Sequence, residues 1–245
     1  MLVKKNEQLK KIAESLKSNN FDARIVNSGE EATALAVDII PKNIVLGIGD
    51  STTLIQINIL NELKKRGVKI INPFIKEFTE NPNKHQLMIK ALRDTRSCDV
   101  FMTSANAITI DGKIVSIDRV GNRVVGMIFG PPKVILIIGK NKIVSNVAEA
   151  IDIIKNGIAP IHQQNRKRKT LCVKTGKCEN CNVPDRACNI TVILEKKPLL
   201  TDLTVILVNE DLGLGWGKLT SVQRIKKIKT NYYMKYNRTL CIGDF

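Results

Sequence analysis

Apolar residues first recur at helical spacing. Leu9, Ile12, Ala13 and Leu16 fall at i, i+3, i+4 and i+7, and Ala32, Leu35, Ala36 and Ile39 repeat the pattern, so two amphipathic packing helices open the chain. An apolar run ending in glycines, Asn43 to Asp50, follows, after which Leu54, Ile57, Leu60 and Leu63 return to the helical period. That reads as strand, tight loop, helix. The cycle recurs with VKIINPF (68–74), a polar helical stretch over 83–93, and DVFMTSAN (99–106). Strands alternating with helices of this length predict βαβ units and a largely parallel sheet covered on both faces.

The middle of the chain changes pattern. Residues 108–118, ITIDGKIVSID, set Asp111-Gly112 between two alternating runs, a strong hairpin signal. The stretch RVVGMIFGPPKVILIIG (123–139) predicts two more strands, the second of them, Lys133 to Gly139, so apolar that it belongs at the centre of a sheet. A helix through Val147, Ala148, Ile151 and Ile154 precedes a basic cysteine-bearing loop, and residues 190–198 and 201–211 read as two final strands. The expected fold class is therefore α/β: a largely parallel sheet flanked by helices, with an inserted hairpin and a cysteine loop. The core domain is expected over 1–213, with 214–245 as a basic C-terminal extension. Trp216, Ile225 and Ile228 at helical spacing suit docking of that extension on the body with its lysines facing water. Its interleaving of lysines with Tyr232, Tyr233 and Tyr236 is also what single-strand nucleic-acid surfaces use.

Composition sharpens this picture. At 245 residues and 43% hydrophobic content, the chain is long enough to bury a sizeable core. The excess of 39 Lys+Arg over 23 Asp+Glu gives +16, a surface that attracts phosphates, nucleotides, acidic partners or nucleic acid without choosing among them. Much of the excess is local: no acid lies between Asp152 and Glu179, and Lys218 to Arg238 hold seven basic residues and no acidic one. The opening MLVKKNEQLKK lacks an apolar stretch after its charges, and no run of about 18 uninterrupted apolar residues occurs. A cytoplasmic protein without a membrane span is expected, in a compartment where thiols stay reduced and clustered cysteines point to metal or redox chemistry.

Three clusters carry candidate chemistry. Four of the six cysteines stand as Cys172-x5-Cys178-x2-Cys181-x6-Cys188 on one loop. Thiolates bind soft or borderline metals, and a Cys-x-x-Cys turn brings two sulfurs to one ion or cluster edge. Lys174, Lys177 and Arg186 favour thiolate over thiol. An iron–sulfur cluster, structural zinc, and thiols that are redox-active, disulfide-bonded or merely packed all remain open. Cys98 and Cys241, single and beside apolar residues, read as small buried hydrophobes.

The second cluster is GIGDSTT, residues 47–53. Gly47 and Gly49 would let the backbone approach a ligand, and Asp50, Ser51 or Thr52 would cap the following helix, whose amides face an anion; the alternative is a plain βα turn. The third comprises Thr103, Ser104, Asn106 and Thr109 with Asp118, Gly121, Asn122 and Arg123. Polar groups at the carboxyl ends of parallel strands are where ligands sit. Arg123 would grip a carboxylate or phosphate bidentately and Asp118 would orient it or act as a base, or the two are simply an ion pair. His85 and His162 are isolated in the sequence and read as solvated or packed.

From TSANAITIDGKIVSIDRVGNRVVG through TGKCENCNVPDRACNITVILE to TDLTVILVNEDLG, the chain resembles the lactate-utilisation (LUD) domain family, including its stand-alone cysteine-bearing members, over Lys4 to Gly213. The resemblance implies an α/β fold like those of glucosamine-6-phosphate isomerase, ribose-5-phosphate isomerase and CoA transferases. It also implies a part in oxidising lactate to pyruvate alongside iron–sulfur partner proteins. The family's signature falls on Asn106, Thr109, Asp111, Gly112, Gly121, Asn122 and Arg123, without an established catalytic role to carry over. The basic ending departs from the family's usual one.

Three readings follow. In the first, the cysteine loop holds a [4Fe–4S] cluster beside a crevice for a small anionic substrate, lactate or a related 2-hydroxy acid, and an iron–sulfur partner takes the electrons. In the second, zinc braces the loop and the crevice takes a phosphorylated or CoA-linked molecule without redox chemistry. In the third, the chain is an accessory subunit whose basic faces dock acidic partners or nucleic acid.

Overall fold

The structure, a computed structural model, describes residues 2–74 and 81–236. Ten strands lie among them: β1 (Asp22–Val26), β2 (Val45–Ile48), β3 (Lys69–Ile71), β4 (Val100–Thr103), β5 (Ala107–Thr109), β6 (Ile114–Asp118), β7 (Lys133–Gly139), β8 (Ile143–Val144), β9 (Ile190–Leu194) and β10 (Asp202–Val208). Six of them form one sheet in the order β1-β10-β7-β4-β2-β3, every pair parallel. The other four form a second sheet, β8-β5-β6-β9, in which β5 and β6 make the antiparallel hairpin expected around Asp111-Gly112. The protein is thus α/β, with a mostly parallel sheet flanked by helices.

Strand β7 lies inside the six-stranded sheet, as its apolar run predicts, and its side chains alternate between two cores. Val134, Leu136 and Ile138 pack with Leu9, Ile12 and Leu16 of the helix Leu2–Ser18 on one face. Ile135 and Ile137 pack with Ala32 and Ala36 of the helix Gly29–Ile39 on the other. Burying each such side chain contributes about 1.5–3 kcal/mol. A third core lies beneath the second sheet, where Val115 and Val144 meet Ile154, Ile158, Ile228 and Tyr232.

Three local expectations are corrected. RVVGMIF is not a strand: Asn122–Ile128 is a helix that buries Val124 and Met127, three apart, and sets Gly126 against Phe101. Its β-branched residues favour strands only weakly, and packing decided otherwise. The single helix read through Leu54 to Leu63 is two, Thr52–Gln56 and Ile59–Lys65, broken at Asn58 in left-handed backbone (φ 58°). Strand β1 was not predicted; as an edge strand it pairs only β10 and carries exposed Arg24, so its pattern is too mixed to read.

The basic C-terminal segment forms a helix, Val222–Tyr236, that turns Ile228 and Tyr232 inward and leaves Lys226 and Lys227 in water. Trp216 precedes it, packs over Gly157 and lies under the Lys229 ammonium, with Nζ 5.4 Å from the ring. Cys98 is buried, as expected of a small hydrophobe, and donates to the Thr95 carbonyl. Cys241 lies outside the described residues. Among the described residues no helix is long and apolar enough to cross a membrane.

Candidate functional site

A cavity of about 180 Å³ opens past the carboxyl ends of β2 and β4, where Asp50–Thr53 and Ser104–Asn106 meet the turn after β6. Parallel sheets place ligands at this end because the loops leaving the strands converge there. The helical segment from Ile154 to Asn165, the turn that carries Arg166 and Arg168, Leu214 and Tyr232 close the far side. Nine residues of the two candidate clusters, Asp50, Ser51, Thr52, Thr53, Ser104, Asn106, Asp118, Asn122 and Arg123, line this one space, and Cys188 of the thiol loop joins them.

Three other candidates are elsewhere. A Cβ at Gly47 would stand 2.6 Å from Cys98 Sγ, and one at Gly49 would stand 2.7 Å from Thr103 Oγ1, so these glycines admit neighbouring side chains and do not line the cavity. Thr109 braces the hairpin, its hydroxyl bonding to Asp111 and accepting from Lys113 N at 2.9 Å. Of the three possible caps it is Ser51 that accepts from a helix amide, Leu54 N, at 3.4 Å.

Arg123 makes three hydrogen bonds within the protein. Its Nη1 donates to Ser104 O at 3.1 Å, and its Nη2 donates to Asn106 Oδ1 at 2.9 Å and Ile117 O at 2.8 Å. Asn106 Oδ1 also accepts from Ile117 N at 2.9 Å. The pair therefore ties the ends of β4 and β6 together while leaving a positive charge in the wall. Asp118 Oδ1 accepts from the amides of Val120 and Gly121, whereas its Oδ2, 3.6 Å from Arg123 Nε, is buried without a hydrogen bond. Gln163 Oε1 is a second buried acceptor without a partner in the same wall.

The structure adds residues that the sequence did not flag. Lys142, buried just beyond β7, donates to Ser104 Oγ at 2.8 Å, Thr53 Oγ1 at 3.0 Å and Ala105 O at 3.0 Å. Burial, then the nearby Arg123 charge, pushes its pKa down to about 7. His162 is also buried: Arg166 Nε donates to its Nε2 at 3.0 Å, and its Nδ1 lies 2.6 Å from the Tyr232 hydroxyl. An Nε2 that accepts is unprotonated, so Nδ1 carries the hydrogen of a neutral ring. Burial and the charges of Arg166, Arg123 and Arg168 hold its pKa well below the ordinary histidine value. Arg166 also pairs with Asp50, and Arg168 with Asp185.

Nothing in the sequence distinguished Lys142 from the other 38 Lys and Arg residues. His162 was visible only as an isolated histidine, and Tyr232 only as part of the basic extension. Their convergence is tertiary. The wall sets four arginines, Arg119, Arg123, Arg166 and Arg168, and the titrating Lys142 against two carboxylates, Asp50 and Asp118, so it carries an excess of positive charge.

The thiol loop lies alongside. Cys172, Cys178, Cys181 and Cys188 are free and half-buried. Only Cys188 reaches the cavity wall. Its pKa is pushed up to about 11, first by burial and then by Cys178 and Cys172, so three of the sulfurs share one electrostatic neighbourhood. Asn180 N donates to Cys178 Sγ at 3.4 Å, and Arg186 donates to the carbonyls of Cys181 and Cys188. The donors suit a soft metal centre chemically. Among the described residues, however, no three Cys, His, Asp or Glu side chains are gathered closely enough to hold a metal ion.

The fold and site define an α/β protein with a cationic cavity at the strand ends of a parallel sheet. The chain belongs to the LUD domain family: the LUD domain model matches residues 9–208. A DUF162 family protein from Deinococcus radiodurans is similar at 14% identity, covering 84% of this chain and 98% of that one, with a TM-score of 0.46. Ribose 5-phosphate isomerase A from Neisseria gonorrhoeae is similar at 20% identity, covering 49% of this chain and 54% of its own, with a TM-score of 0.30. No curated protein matches the chain.

Proposed function

We propose that this LUD domain protein binds lactate or a related small 2-hydroxy acid in the cavity and serves as an iron–sulfur component of its oxidation. The observation that carries this reading is a wall with excess positive charge and two buried acceptors that take no hydrogen bond among the described residues, Asp118 Oδ2 and Gln163 Oε1. A buried acceptor without a donor costs about 1–3 kcal/mol, so a ligand hydroxyl would give one of the two a donor while its carboxylate meets the cations. Conversion of the 2-hydroxy acid to its 2-oxo acid releases two electrons and two protons; Asp118 would accept the hydroxyl proton, and the C2 hydrogen would leave as a proton while its two electrons pass one at a time to the oxidised iron–sulfur partner. Cys172, Cys178, Cys181 and Cys188 would hold a [4Fe–4S] cluster, which when bound would carry electrons toward an iron–sulfur partner.

Calorimetric titration tests the cavity. Lactate should bind and propionate, which lacks the hydroxyl, should bind about ten-fold more weakly, the worth of one hydrogen bond to a buried group. Equal affinities would remove the hydroxy-acid reading. Anaerobic purification followed by iron, sulfide and zinc analysis tests the loop. Iron and sulfide that fall in Cys181→Ser support it, whereas stoichiometric zinc without sulfide would make the loop a structural brace beside a non-redox cavity.

A further inference from the structure

Lys142 has an unusual set of partners for a buried cation. Lysine is rarely fully buried unless it is paired, yet among the described residues no carboxylate pairs with it; two hydroxyls and a carbonyl hold its Nζ. Ser104 Oγ already donates to Ile137 O at 2.6 Å, so it can only accept from Lys142, as Ala105 O must. Thr53 Oγ1 can either accept or donate. An uncharged amine is therefore accommodated as well as an ammonium: two N–H groups go to Ser104 and Ala105, and the lone pair turns toward Thr53.

Lys142 also lines the cavity, between backbone that packs closely upon it. Gly213, in left-handed backbone at φ +67°, would with a Cβ stand 3.3 Å from Lys142 Nζ and 2.6 Å from Thr53 Oγ1. Gly215 would stand 2.9 Å from Lys142 Cγ. Two glycines thus let the 213–215 backbone pack directly along the lysine, where any side chain would clash with it. The depressed pKa of about 7 leaves about half the amine unprotonated at neutral pH. An ordinary surface lysine has a roughly thousandfold smaller unprotonated fraction there.

We propose that Lys142 captures a 2-oxo acid in this cavity as an imine. The inference rests on the reading that the cavity takes a small carboxylate, and it assigns the covalent step to a residue of this chain. The Nζ lone pair attacks the C2 carbonyl, forming the C–N bond as the C=O π bond breaks. A proton passes from nitrogen to oxygen to give the carbinolamine, which loses one water to give the imine. No electrons are exchanged, and hydrolysis returns the free lysine and the 2-oxo acid. The cationic wall holds the carboxylate beside the reacting carbonyl, and the imine activates the bound acid for loss of a C3 proton.

The test is reductive trapping on the intact protein. Pyruvate and cyanoborohydride, applied near neutral pH and followed by peptide mapping, should label Lys142 at least about ten-fold more than any other lysine. Lys142→Arg and Lys142→Met should both abolish that label, with circular dichroism confirming the fold. Absence of label at Lys142, or even labelling across the surface lysines, overturns the inference. A parallel lactate titration separates the two claims. Lactate binding without label overturns the imine and leaves the proposed function standing; neither binding nor label overturns both. Label without lactate binding supports the imine and removes the hydroxy-acid reading.

Discussion

Lys142 shows how a single residue's chemistry depends on what surrounds it. Its folded-state pKa of about 7 lies below the ordinary lysine value of about 10.4. Between those values the unfolded chain binds more protons than the folded one, so stability rises with pH through that window. Below pH 7 the cost of burying the ammonium is fully present. The wild type should therefore gain stability relative to Lys142→Met as pH rises from about 7 to 10, with a slope approaching 1.4 kcal/mol per unit. Denaturant melts at several pH values check this, and parallel curves would show that Lys142 does not titrate in that range. Arg123 makes the opposite point. Its guanidinium was a plausible anion grip in the sequence, and it instead spends its donors on Ser104, Asn106 and Ile117, contributing charge to the cavity and rigidity to its rim.

At the level of elements, the helix Asn122–Ile128 was the segment most open to misreading. Val124 and Val125 favour strands, but the contact that decides the matter is Gly126 against Phe101, where a Cβ would lie 2.7 Å from ring carbons of a fully buried side chain. Gly126→Ala should cost about 1–3 kcal/mol through overpacking, seen as a lower melting temperature, and the loss should shrink in a Phe101→Leu background. Full additivity of the two substitutions would show that the contact does not set the helix position. The strands were more legible. Residues 133–139 alternate between two cores and are buried on both sides, and a uniformly apolar run is the pattern that such a position selects. The edge strand β1 has water on part of its surface and carries no such signature.

For the whole molecule, the C-terminal helix is the connection that matters. It follows the stretch matched by the LUD domain, which ends at residue 208, yet its Tyr232 lines the cavity and meets His162, while Ile228 fills the third core. Deleting residues from Ser221 onward should open the cavity, weaken lactate binding by at least ten-fold, and lower the melting temperature as that core is exposed. Unchanged affinity in a folded truncation would show that the helix only covers the body.

Periodicity and turn chemistry determined the alternating strands and helices, the parallel sheet and the hairpin at Asp111-Gly112, and motif residues such as Asn106, Asn122 and Arg123 carried the family resemblance. All of these are short-range patterns, and the sequence also marked the polar strand ends around Asp50, Asn106 and Asp118. The tertiary structure alone decided that these ends share one cavity with Lys142, His162, Arg166 and Tyr232. Those residues lie far apart along the chain, and their properties come from desolvation and from neighbouring charges. Neither exists until the chain has closed around them.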